Sequence, residues 1–304
     1  MSKGKFKNAL VNSFKIFKAS VSNFGSNRPI QLAGTTAYFA IFSMTPIILI
    51  IISVFGYFTG DDIIREKLFN EIAVLLGHDS TLVLRKAIEN YNISGGSFIG
   101  ILGIVFFLIA ATALFSIMQN SINHIWRIKT KANFKMGILS FLKKRVLSFG
   151  VILCLGFILL ISLLIDASIA FLKDLLATQF NHDFVLSAQL INVAASLIII
   201  TVVFALIYRF LPDVHMHWSA SWFGAVFTSV LFALGKIGIG AIIVNSNFGA
   251  FYGAVGSFAA ILVWIFFVSI IFYFGVELTR QYSKFYNHEN KPMKYAVPFL
   301  IDKV

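Results

Sequence analysis

Four charged side chains, Asp166, Arg209, Lys236 and Glu277, sit within or at the ends of runs otherwise too apolar to carry charge. A charge at the middle of a helix in lipid costs at least about 2.5 kcal/mol on insertion scales, so each is a candidate functional residue. Counted outward from the basic ends of their segments, Asp166 and Lys236 share an outer depth. Arg209 and Glu277 share one near the basic interface. Each couple is placed to pair, and such a pair either lines or gates a pathway or holds helices in register. Interfacial charges also reach the headgroups along their apolar stems. Thr35, Thr36, Ser43 and Thr45 gather on the stretch before Pro46, where their hydroxyls either face a polar cavity or satisfy their own backbone beside the proline. With Tyr38 and Tyr252, these residues complete the expected pathway or gating set.

Other chemistry is sparse. Asp213, His215 and His217 form DVHMHW, whose alternation places two imidazoles on one side of an extended segment, but a metal site needs more ligands and none is expected. His78, His124, His182 and His288 are scattered. No Ser/His/Asp signature, phosphate loop or HExxH occurs, so no catalytic constellation, enzyme activity or cofactor is expected. The lone Cys154 lies in an apolar run and supports neither a disulfide framework nor a thiol metal site.

The elements that must position these residues are membrane spans. With 58% hydrophobic and 12% charged residues, the chain has about half the charge of a water-soluble globule. Leu32 to Phe58 runs 27 residues without a charge, ample for about 30 Å of hydrocarbon. The expectation is an all-α polytopic membrane protein with six transmembrane helices, over about 32–58, 96–118, 146–171, 186–208, 219–244 and 253–276. The last carries small-residue spacing, Gly249/Gly253 and Gly256/Ala260, that brings helix backbones close in lipid. Residues 1–29 form a cytoplasmic N-terminal segment in which Phe6, Leu10, Phe14, Phe17 and Val21 alternate with lysines, an amphipathic helix on the membrane surface. Segment 61–92 reads as short extracytoplasmic helices between the first two spans, 30–279 as the transmembrane domain, and 280–304 as a cytoplasmic tail.

Charge fixes the orientation. Residues 127–145 hold seven Lys or Arg and no acid, and with the two terminal regions and Arg209 this side collects nineteen of the 25 basic residues, against five opposite. Basic loops stay in the cytoplasm, so both termini are expected there, and the net charge of +12 follows from topology. Exposed aromatics interleaved with basic residues, or a reading module, would argue for nucleic acid; neither is present. No internal repeat supports an inverted-repeat transporter.

Three stretches carry a resemblance: AGTTAYFAIFSMTPIILIIISVFG at 33–56, YRFLP with HWSASWFGAVF within 208–227, and FYGAVGSFAAILVWIFFVSIIFYFGVEL at 251–278. In order and spacing they resemble the YihY/virulence factor BrkB family of bacterial inner-membrane proteins, over nearly all of 30–280. The chain departs from many relatives in reading GVEL where GAEL is usual, which leaves Glu277 in place. The resemblance implies a six-helix cytoplasmic-membrane protein. The family's ribonuclease BN label is not supported here, because the HxHxDH motif of the zinc-dependent tRNA nuclease is absent and DVHMHW does not supply it. Links of some relatives to lipopolysaccharide-lipid traffic imply lipid translocation. The expected function is therefore a transporter or lipid-translocating protein of the inner membrane, with membrane lipids as partners and a cavity between the first, third, fifth and sixth helices. The alternative is a non-transporting scaffold for envelope proteins.

Overall fold

The computed structural model describes residues 3–43, 113–130, 182–245, 248–293 and 295–299. Segment 61–92, the third span at 146–171 and most of the second lie outside them, with Pro46 and Asp166. The described chain is mostly helical: α1 (Lys3–Phe24), α2 (29–43), α3 (113–125), α4 (His182–Phe210), α5 (Trp218–Asn245) and α6 (Phe248–Phe285), with short strands β1 (Ile128–Thr130), β2 (Val214–His215), β3 (Lys291–Pro292) and β4 (Ala296–Pro298). Two compact units share these elements. One comprises Met1–Pro29, Gln119–Leu234 and Ile271–Val304, the other Ile30–Met118 and Gly235–Ile270.

Among the described residues two segments are long and apolar enough to cross a membrane, Trp218–Lys236 and Ile261–Phe285, and Ala194–Phe210 is a shorter apolar helix. At 1.5 Å per residue the 38 residues of α6 extend about 57 Å, well beyond a hydrocarbon layer of about 30 Å. A segment long and apolar enough to span and an extension past it are thus one continuous helix.

Helix α5 is patterned inside out. Trp222, Val226, Val230 and Leu234, four residues apart, form an exposed stripe, with Leu234 61% exposed. The opposite face buries Ala220, Ser221, Gly224, Ala225, Thr228 and Ser229. Water would penalise so long an outward apolar stripe, whereas lipid does not, and small inward residues let helices close on one another.

That closure is tight. A Cβ on Gly275 would collide with the Tyr208 hydroxyl and Thr228 Oγ1, and one on Gly224 would come within 2.9 Å of the Gly275 carbonyl oxygen. Into this crossing Tyr208 brings its phenol, donating to the Phe272 carbonyl at 2.9 Å and sharing a hydrogen bond with Thr228 Oγ1 at 2.9 Å. Thr201 and Ser229 add a second α4–α5 hydrogen bond at 2.7 Å.

The N-terminal helix uses two faces. Ile16 and Ser20 are buried, and Phe17 and Phe24 set their rings edge-on against Phe274, with centroids 5.6 and 5.3 Å away. Phe14 and Val21 remain exposed beside Lys15 and Lys18. The C-terminal tail also has a fold: β4 pairs antiparallel with β1, Thr130 opposite Ala296, and β3 pairs with β2, His215 opposite Lys291.

Candidate functional site

The first unit gathers buried polar side chains where α3, α4 and α6 end. Asp213, 1% exposed, closes the turn after α4. Gln119 and Asn123, one helical turn apart on α3, donate to its two carboxylate oxygens at 3.0 and 2.8 Å, and the Asp213 backbone N–H donates back to Asn123 Oδ1 at 2.9 Å. From the tail, the Tyr295 hydroxyl donates to Asp213 Oδ1 at 3.0 Å, and the Met293 N–H to the Asp213 carbonyl at 3.0 Å. Burial, followed by the Asp213 charge and hydrogen bond, pushes the Tyr295 phenol well above its ordinary range. It therefore stays a protonated donor.

Glu277 forms a second knot on α6. It is fully buried, and its carboxylate accepts from Asn27 Nδ2 at 2.9 Å, from Gln281 Nε2, and more distantly from Arg280 at 3.5 Å. Asn27 stands in the turn joining α1 to α2, so the carboxylate ties the N-terminal segment to α6. The expected ion pair with Arg209 does not form. The Arg209 guanidinium instead lies over the Trp218 ring, 5.4 Å from its centroid, where cation–π attraction takes the place of the carboxylate.

Beside Glu277 lies a cavity of about 890 Å³ lined in part by Trp126, Arg127, Arg280, Ser283, Lys284 and His288. Arg127, at φ 59°, and Asn287, at φ 49°, also line it in the left-handed conformation that glycine usually supplies at a helix end. Holding a larger residue there costs about 1–2 kcal/mol. Burial, and then the Arg280 charge, lower the pKa of Arg127, while Glu277 opposes them. His124 is likewise held below its ordinary value by burial, then by Arg127 and Arg28.

Lys236 is exposed on α5. Thr35, Thr36 and Ser43 donate to the carbonyls one turn back, those of Gln31, Leu32 and Phe39, at 2.8, 2.9 and 2.8 Å. Tyr38 is exposed with its ring against Phe39 and Phe42. Tyr252 lies on α6. Asp166 and Pro46 are outside the described residues. His217 and His288 set their rings 4.5 Å apart, and among the described residues no group of three or more His, Cys, Asp or Glu assembles that would hold a metal. Sequence reasoning missed the residues that hold the two carboxylates. The Gln119/Asn123 spacing within the polar run 118–126 was the one available sign, an i, i+4 carboxamide pair in want of a partner.

Residues 20–297 match the family model described as Virulence factor BrkB. Among similar proteins, a UPF0761 membrane protein of Vibrio atlanticus (strain LGP32) is 26% identical over 281 residues, covering 90% of this chain and 84% of the relative. One of Pseudoalteromonas translucida (strain TAC 125) is 27% identical over 252 residues, covering 83% and 80%. No solved structure matches the chain.

Proposed function

The chain belongs to the virulence factor BrkB family, and on that premise we propose that it is a transporter or lipid-translocating protein of the bacterial inner membrane. The observation that carries the reading is the joining of a lipid-type exterior to a polar interior on the same helices. Helix α5 turns Trp222 to Leu234 outward and its hydroxyls inward, while α6 carries a buried Glu277 near the end of its apolar segment. The excess of basic residues on one side supports cytoplasmic termini and, with them, a cytoplasmic position for the Asp213 and Glu277 knots. Membrane lipids are the partners on this reading, with Asp166 and Lys236 as pathway charges.

The test is reconstitution. Purified protein in liposomes moves labelled lipid or ions, and Asp166→Asn or Lys236→Met slows that movement. Liposomes that move neither, with charge variants that keep the cellular phenotype, end the proposal. A scaffold for envelope proteins is the second reading, favoured by the exposed Phe14 and Val21 on a helix already docked through its other face. Co-purification of a stoichiometric partner, unaffected by Asp166→Asn, would select it.

A further inference from the structure

The cavity beside Glu277 has more positive charge and more unused hydrogen-bond donors than its own walls neutralise. Arg127, Arg280 and Lys284 line it, and the one acid among its described lining residues, Glu289, is turned to Lys291 in an exposed pair at 2.8 Å. Arg280 reaches Glu277 only at 3.5 Å, and Arg127 touches Ser26 only at 3.4 Å, through Nη2. Five lining residues hold a buried polar atom with no hydrogen-bond partner among the described residues: Trp126 Nε1 and Arg127 Nη1, which donate, Ser283 Oγ and His288 Nδ1, which can donate or accept, and Asn290 Oδ1, which accepts. Trp126 is 7% exposed and Ser283 fully buried. Buried donors almost always find an acceptor, so four groups able to donate at one cavity call for an oxygen-rich anion. Two guanidinium forks with an ammonium suit the tetrahedral oxygens of phosphate, which accept from several directions at once. Inorganic phosphate fills little of about 890 Å³, a volume in the range of pockets that hold whole small molecules.

We propose that this cavity is a binding site for a phosphate-bearing ligand, with Arg127 and Arg280 as its anion clamp and Trp126, Ser283 and Lys284 as further donors. The ligand is either a soluble phosphate compound or the headgroup of an anionic phospholipid, which share this chemistry. Binding here requires no passage of the ligand through the membrane, so the site stands or falls apart from the transport reading.

The experiment uses the full-length protein in neutral detergent and in nanodiscs. Thermal unfolding in detergent is followed against inorganic phosphate and pyrophosphate at constant ionic strength, with sulfate-free chloride as the reference. Nanodiscs of phosphatidylcholine with and without phosphatidic acid form the second arm. A saturable rise in Tm, lost in Arg127→Gln and Arg280→Gln and kept in the surface variant Lys15→Gln, is the expected result. A rise in the detergent arm identifies a soluble ligand; a rise confined to phosphatidic acid nanodiscs identifies a lipid headgroup. Should either arginine variant fail to fold, Lys284→Gln and Ser283→Ala take its place, with at least a threefold weakening expected in each. No saturable rise in either arm, or a rise unchanged by these substitutions, overturns the proposal.

Discussion

A buried carboxylate costs several kcal/mol unless donors replace its lost water, and Asp213 and Glu277 are each given three or more. Removing one donor strands part of that charge. Asn27→Leu should therefore destabilise by about 1–3 kcal/mol in detergent unfolding, and an unchanged Tm would show that Glu277 finds other partners. At the α4–α5–α6 crossing the constraint is space. Gly275→Ala drives a methyl into Tyr208 and Thr228, with an expected loss of about 1–3 kcal/mol. Gly238→Ala, on the same kind of helix with nothing within 4 Å, should be neutral or gain about 0.5–1 kcal/mol. Equal effects of the two would remove the close-approach argument. His124 sets a pH dependence: burial and the nearby Arg127 and Arg28 favour its neutral form, so the unfolded chain binds the proton more tightly. The stability tied to neutral His124 is complete above about pH 6.5 and is lost as pH falls through the lower folded value. His124→Gln should flatten the fall of Tm between pH 7 and 5, and a slope left as steep would contradict this.

At the scale of elements, the tail matters most. Strands β3 and β4 supply backbone partners to β2 and β1, and the tail between them brings Tyr295 to Asp213. Truncation after Phe285 removes all of these, so it should lower Tm by more than 5 °C and open the turn at 211–217 to proteolysis; an unaltered digestion pattern would make the tail an accessory. The helices were legible because an apolar run of twenty or more residues with at most one charge has few alternatives in a protein, and α4, α5 and α6 cover the expected runs at 186–208, 219–244 and 253–276. The tail was not legible, because two- and three-residue strands have no periodicity to read. The Asp213 knot was half legible: its carboxamide pair shows on α3, but its carboxylate lies 90 residues away and its tyrosine beyond that. Arg209 and Glu277 were matched by depth alone, which says nothing about azimuth, and each has a nearer partner, Trp218 or Asn27.

For the whole molecule, the proposed topology puts the outward stripe of α5 in lipid and the buried carboxylates Asp213 and Glu277 on the cytoplasmic side. Spin labels at Val230 and Leu234 should be relaxed by lipid-soluble oxygen, and one at Ala225 should not; equal accessibility would deny the stripe its lipid. The most direct test of the central claim is leaflet exchange. Proteoliposomes carrying a fluorescent phospholipid are treated with a membrane-impermeant quencher, and the fraction quenched is followed with time. Quenching should run well beyond the outer-leaflet half for the wild type and return toward that of protein-free liposomes for Lys236→Met at unchanged Tm. Quenching that stops at half in the wild type, with ion flux equally absent, would contradict it.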